Sequence, residues 1–426
     1  MSDDDLLIRV LALLAVSLVA IAFAWRARLY NRRLAPVTRH PAGNGTTLAD
    51  ANAAGTSPHG GVLVIAGDDH AAKSSTLPHQ TEHIFKAVLM PVLYPANVQE
   101  YLDYGLHGWA MSRYSGCWIG FKCVADTVES SASVYVDPER TRIVVPDDFP
   151  LPPDGVSIRW PDPFLATEAR MQDYKIYAAL HYARVNRLNR IVVDSPRPRL
   201  GIVTSGKSYL DVRQALDDLG LDERDLAELG IRVYKIAMPW PLEPEGVREF
   251  AEGLEEILVV EEKRQVVEYQ LKEQLYNWRD DVRPRVVGKF DEKGEWVRPH
   301  GDWLLPAASE LTPAMIARVI AKRIELLGLH PNDADRERIA QRVEFINQKE
   351  AALAKPRIGI ARTPYFCSGC PHNTSTRVPE GSRATAGIGC HVMAIWMDRS
   401  TSEFTHMGGE GVPWIGQAPF TSEKHI

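Results

Sequence analysis

The chain is 426 residues long, 45% hydrophobic and 24% charged, values of an ordinary folded protein that exclude a disordered tail, a collagen and a polytopic membrane protein. Forty-nine basic against fifty-five acidic residues leave a net charge of −6, so nothing in the balance asks for a nucleic-acid backbone as partner. This length predicts two or three cores of about 150 residues rather than one.

Taken in chain order, the first element is an apolar run from Leu6 to Trp25, broken only by Arg9 and Ser17 and long enough to cross about 30 Å of hydrocarbon. Asp3, Asp4 and Asp5 precede it and Arg26, Arg28, Arg32 and Arg33 follow, the reverse of a secretory signal peptide. The flanks predict a single transmembrane anchor with the body on the cytoplasmic face. A buried or frayed amphipathic helix is the alternative. From Pro36 the chain is rich in Ala, Gly, Asn, Thr and Pro without apolar period and reads as a linker.

The run GGVLVIAGDDH predicts a buried parallel strand that opens at its C-terminal end into a polar loop, where ligands collect in a doubly wound sheet. A helix, a short strand in AVLMPVLYP and a helix from Val98 to Trp109 follow, which is α/β alternation. Residues 136–163, rich in Pro and Asp, form a crossover. A second α/β unit then opens with a helix from Phe164 to Val185. Strands are expected at Ile191–Asp194, Leu200–Ser205, Ile231–Ala237 and Glu256–Glu261, with helices at Tyr209–Leu219 and Pro244–Gly253, giving a parallel sheet covered on both faces. Long charged amphipathic patterns at Gln265–Trp278, Thr312–Leu327 and Asp335–Leu353 read as connecting helices. A third unit begins at Arg357 with IGIAR.

Chemistry is concentrated in three places. Asp68, Asp69, His70, Lys73, Ser74 and Ser75 put carboxylates, an imidazole, an ammonium and hydroxyls at one strand end, and they are the candidates for catalytic side chains. Cys367 and Cys370 in FCSGCPH can turn two sulfurs toward one metal, and Cys390 in GIGCH could reach the same centre. The spacing leaves zinc, completed by His372 or His391, an iron–sulfur cluster and a redox pair or unligated thiols all open. Gly387 and Gly389 belong to the second of these motifs. Gly408, Gly409, Glu410 and Gly411 in MGGEGVPWIG form a loop whose backbone can approach a phosphate, or a plain turn. Cys117 and Cys123, amid Trp118, Ile119 and Phe121, read as core, and Glu100 and Glu129 as carboxylates satisfied structurally.

AGDDHAAKSSTLPHQTEH, PANVQEYLDYGLHGWAMSRYSG, KCVADTVESSASV, LEEILVVEEKRQVVEYQLKEQLYNW, FCSGCPHNTSTRVPEGSRATAGIGCH and MGGEGVPWIGQAPFT together resemble the long, fused form of indolepyruvate ferredoxin oxidoreductase, from about Ala51 to the end. The resemblance implies an α/β chain of successive doubly wound parallel-sheet domains of the thiamine-diphosphate enzyme type, the first and third incomplete. Residues 51–163 resemble the pyrimidine-binding domain, 164–297 the transketolase C-terminal-like domain and 357–426 the start of the pyrophosphate-binding domain. Residues 298–356 are connecting helices, 36–50 the linker and 1–35 the anchor.

It further implies oxidative decarboxylation of aryl 2-oxo acids such as indolepyruvate to an acyl-CoA, with thiamine diphosphate and Mg²⁺ as cofactors and electrons passed to ferredoxin. Cys367, Cys370 and Cys390 match three ligands of a 4Fe-4S cluster, which raises the cluster above zinc, and a homodimer is the default assembly. The Asp68 cluster is then expected to face the pyrophosphate-type domain. The family pattern continues upstream of the match and beyond Ile426, where its magnesium-holding Gly-Asp-Gly segment and CoA domain lie. The expectation is therefore a fragment with an unrelated N-terminal segment, inactive by itself. The competing reading is a membrane-tethered non-catalytic subunit or remnant that binds a partner.

Overall fold

Short β-branched runs bounded by polar loops become strands throughout the computed structural model, which describes residues 44–425 apart from Ser74, Thr76, Pro138, Trp160, 296–302, 355–362 and His406. The expected anchor at 6–25 and the expected strand in IGIAR lie outside the described residues. Among those described, no helix is long and apolar enough to cross a membrane. The fold is mixed α/β with parallel sheets. The described chain up to Asn347 forms one compact unit and that from Gln348 onward a second.

The first unit holds two sheets. In the smaller, β1 (Leu63–Asp68), β2 (Val92–Leu93) and β3 (Ile119–Val124) lie in the order β1-β3-β2, all parallel. The helix Val98–Ser115 covers it. Asn97 caps this helix by accepting from the Glu100 N–H at 3.0 Å, and Gly116 ends it at φ +75°. Tyr104, His107, Gly108, Met111 and Ser115, one face at helical spacing, are buried. Cys117 is fully buried and Cys123 half-buried on β3.

Linker composition gives way to a helix at Asn44–Ala54. Tertiary contact explains it: Asn52 is fully buried, donates to the Val88 and Leu89 carbonyls at 2.8 and 2.9 Å, and accepts from the Trp118 N–H. Those bonds hold a sequence with little amphipathic period of its own.

The larger sheet runs β4-β6-β5-β7-β8, built from β4 (Arg190–Val193), β5 (Leu200–Ser205), β6 (Ile231–Ile236), β7 (Glu256–Val260) and β8 (Arg285–Val287). Every residue of β5 and β7 is buried, as expected of central parallel strands covered on both faces. One face carries Val212 and Leu216 of the helix Gly206–Asp218 with Ile316, Ile320 and Ile324 of the helix Pro313–Leu326. The other carries Val247 and Phe250 of the helix Pro244–Ala251 with Leu271 and Leu275 of the helix Val267–Leu275. All three helices predicted to connect thus contribute to the core, the helix Asp333–Leu353 through Ile339 and Ile346, and each such buried aliphatic side chain contributes about 1.5–3 kcal/mol.

One orientation differs from expectation. β4 runs antiparallel to β6. The link from Val193 to Leu200 is too short for the crossover of a dozen or more residues that a parallel strand requires, so β4 becomes an edge strand.

In the second unit β9 (Ser382–Ala386) lies between β10 (Thr401–Phe404) and β11 (Lys424–His425), both parallel to it.

Candidate active site

The C-terminal end of β1 delivers Asp68, Asp69 and His70 into the interior, where all three are buried. Asp68 accepts from the Thr81 N–H and hydroxyl at 3.1 Å, and its Oδ2 lies 3.2 Å from the Lys122 ammonium. Lys122 comes from the middle of β3 and is wholly shielded from solvent. It donates to Glu82 Oε1 at 2.5 Å and sits 4.6 Å from the centre of the Tyr94 ring. Burial pulls its pKa down, but Glu82 and Asp68 outweigh burial and hold the ammonium above its ordinary value.

Asp69 closes the loop on itself, accepting from the Lys73 and Ser75 N–H groups at 2.9 Å. His70 is 1% exposed, and neither ring nitrogen has a hydrogen-bond partner among the described residues. Its Nδ1 stands 3.9 Å from Glu262 Oε2. Burial, reinforced by the charges of Lys122, Lys263 and Lys207, pushes its pKa far down and keeps the ring neutral.

The facing wall is the larger sheet. Glu262, just beyond β7, accepts from the Leu311 N–H at 3.0 Å and lies 3.5 Å from the Lys207 ammonium. Lys207, at the start of the helix after β5, also pairs with Asp211 at 2.8 Å and donates to the Leu311 carbonyl. Lys263 donates to the Ser309 carbonyl at 2.6 Å. Gly206 sits at φ +52°, and a Cβ there would fall 2.2 Å from the Tyr94 ring, so glycine is what lets the two sheets approach. The C-terminal strand ends of both sheets therefore close on one polar interior, the place where open α/β sheets gather ligands. A neutral imidazole can donate one hydrogen bond and accept another, and the ammonium groups around it can hold an anion.

Not every candidate enters this interior. The Lys73 side chain is 46% exposed and pairs with Asp126 and, at 3.1 Å, with Glu310. It tethers loops. Ser75 contributes its backbone, and Ser74 lies outside the described residues. Glu100 is spent on Lys235 and on the Ala96 N–H, and Glu129 is exposed. Sequence reasoning did not single out Lys122, Glu82, Lys207 or Glu262. The available signals were a lysine inside the apolar strand IGFKCV and the charged triplet after LVV in LVVEEK.

In the second unit Cys367 and Cys390 are exposed and Cys370 half-buried. Cys370 Sγ lies 3.3 Å from His372 Nδ1. Among the described residues no group of three or more His, Cys, Asp or Glu is arranged to hold a metal ion, so the three thiols as placed do not fit a cluster. The Gly387 N–H donates to His391 Nδ1 at 3.0 Å, while Gly389 turns at φ +95°. The Gly408 N–H donates to Glu410 Oε2 at 2.8 Å, Gly409 is buried, and Gly411 turns at φ +77°. A diphosphate reaching the Gly408 N–H would have to displace a carboxylate of its own sign, so this loop as placed does not fit the group either.

Residues 189–356, which hold the larger sheet, match the model of the indolepyruvate ferredoxin oxidoreductase middle domain. The chain is 27% identical over 370 residues to the indolepyruvate oxidoreductase subunit IorA of Pyrococcus abyssi, covering 82% of this chain and 50% of that protein. It is 24% identical over 391 residues to the same subunit of Methanothermobacter marburgensis, covering 87% and 55%. The chain thus spans about half the length of these curated relatives. Among solved structures, the 2-oxoglutarate:ferredoxin oxidoreductase of Magnetococcus marinus aligns over 66% of this chain and 52% of its own at 13% identity, with a TM-score of 0.39, a likeness too weak to bear on the site. The middle-domain match and the relatives agree: residues 189–356 carry an indolepyruvate ferredoxin oxidoreductase middle domain, and the chain around them is similar to the IorA subunits of that family.

Proposed function

We propose that this chain is part of an enzyme that oxidatively decarboxylates aryl 2-oxo acids such as indolepyruvate to an acyl-CoA and passes the electrons to ferredoxin. The observation that carries the reading is the buried polar interior where β1, β5 and β7 end, in a chain whose residues 189–356 match the middle domain of that family. His70 is the residue proposed to orient a bound group there by hydrogen bonds from its neutral ring, Lys122 and Asp68 fix the loop that presents it, and Lys207 and Glu262 close the opposite wall.

Thiamine diphosphate with Mg²⁺ would supply the electron sink for decarboxylation, and Cys367, Cys370 and Cys390, which as placed here do not fit a cluster, are the residues that the family resemblance assigns to a 4Fe-4S group. The glycines at 387, 389, 408, 409 and 411, with Glu410, are the proposed cofactor loops. The domain divisions at 51, 164, 298 and 357 and assembly as a homodimer or with a partner subunit belong to the same proposal, as does a location on the cytoplasmic face.

The same proposal holds that the chain by itself is inactive. The test is direct. Purified chain with thiamine diphosphate, Mg²⁺, CoA and indolepyruvate under anaerobic conditions should leave a viologen dye unreduced, and dye reduction above background would overturn the claim of inactivity alone.

A further inference from the structure

A second polar site lies in the first unit, away from His70, and does not depend on the oxidoreductase reading. It is a cavity of about 560 Å³ between the helix Val98–Ser115, the segment 140–142, the turn 186–190 and the floor made by Lys235 of β6. Cationic groups dominate its lining: Arg140, Arg142, Arg187, Arg190 and Lys235 against Glu100 and Asp103.

Both carboxylates are already engaged. Asp103 accepts from the Thr141 hydroxyl at 3.0 Å and Arg140 at 3.4 Å, and Glu100 is bound to Lys235 and to the Ala96 N–H. Arg142, Arg187 and Arg190 pair with no carboxylate among the described residues. All three are exposed at the mouth of the cavity, where their guanidiniums reach solvent and remain free to take an anion.

The walls are fixed. Asn186 clamps Val144, accepting its N–H at 2.9 Å and donating to its carbonyl at 2.8 Å, which holds the arginine-bearing segment 140–142 opposite the turn. Asn189 accepts from the Ala237 and Met238 N–H groups at 2.9 and 3.0 Å and pins the turn to the end of β6. Arg187 occupies the left-handed region at φ +48°, a strained conformation for a non-glycine residue that persists where surrounding bonds impose it. Arg190 lies close enough to Tyr104 and Lys235 to act on the charge of both.

A volume of this size suits a small organic ligand, and guanidinium forks match phosphate oxygens two at a time. We propose that this cavity binds the diphosphate group of a small molecule through Arg142, Arg187 and Arg190. A single carboxylate would leave two of the three cations unanswered, whereas a diphosphate carries enough charge for all.

Calorimetry on the full chain tests this, with inorganic pyrophosphate in one arm and ADP in the other. Saturable binding of either, weakened about tenfold or more by Arg142→Gln and by Arg190→Gln and by raising salt, is expected. Binding of both means that the site reads phosphate alone, and binding of ADP only means that it also reads the nucleoside. Arg224→Gln, on an exposed helix elsewhere, should bind like the parent, and melting curves check that each variant folds. No binding in either arm by folded parent protein, or binding undiminished in both cavity variants, overturns the proposal.

Discussion

Lys122→Met is the substitution on which the description of the active-site interior most depends. Lys122 has no exposed surface and stands between two buried carboxylates. Asp68 would keep the Thr81 N–H and hydroxyl as donors. Glu82 would keep no partner among the described residues, because its Oε1 is bonded to Lys122 and its Oε2 has none there. Removing one member of a buried charge set strands the other, which costs about 3–5 kcal/mol. With a urea dependence of about 3 kcal/mol/M, the unfolding midpoint falls by about 1–1.7 M.

The second variant separates charge from packing. In a Glu82→Gln background the same Lys122→Met change should cost about 1–2 kcal/mol less, since only Asp68, with its Thr81 donors, is then left charged. Linkage gives an independent sign. Lys122 has its folded pKa raised, so its contribution is complete at neutral pH and is lost only as pH rises through that raised value. The parent should therefore lose stability in strong alkali that the variant no longer has to lose. Urea titration followed by circular dichroism reads both. A loss under about 1 kcal/mol, with no recovery from Glu82→Gln, would refute the reasoning.

Gly206→Ala combines left-handed backbone with a Cβ 2.2 Å from the Tyr94 ring, and a loss of about 2–4 kcal/mol is expected by denaturation, relieved in part by Tyr94→Ala. Burial outweighs three N–H donors at Glu261 and raises its pKa to about 7, so its contribution to stability is present below its ordinary value and fades as pH rises through about 7. Glu261→Gln should flatten the stability profile across that window, and an unchanged profile would count against it. The sequence expectation that residues 6–25 anchor the chain predicts full-length product in the membrane fraction, and its complete recovery in detergent-free supernatant would rule the anchor out.

What the sequence made legible was whatever a periodic apolar pattern or a cap writes locally. The helix after Asn97 is announced by its cap and stripe and runs on to Gly116, past the Trp109 at which the stripe was read to end. β5 and β7 stand out as continuous aliphatic runs. β3 did not, because its buried lysine breaks the run, and that same lysine holds the polar interior together. Only a tertiary partner explains Lys122, and no window of neighbouring residues contains Glu82 or Asp68.

The strand end at Asp68 was identifiable as a site by its density of polar groups, yet its opposite wall comes from residues almost two hundred positions later. The direction of β4 depends on the length of a link, and the helix Asn44–Ala54 on a single buried asparagine. Neither leaves a trace in composition.

The central claim is tested most directly by isolating this chain, tagged at its C-terminus, from the cell that makes it, under anaerobic conditions and with whatever it assembles with. The assembly is predicted to reduce methyl viologen in a reaction that requires indolepyruvate, CoA and thiamine diphosphate together, and to lose that activity with His70→Ala while remaining assembled. Dye reduction indifferent to indolepyruvate, or full activity in the His70→Ala assembly, would contradict the account.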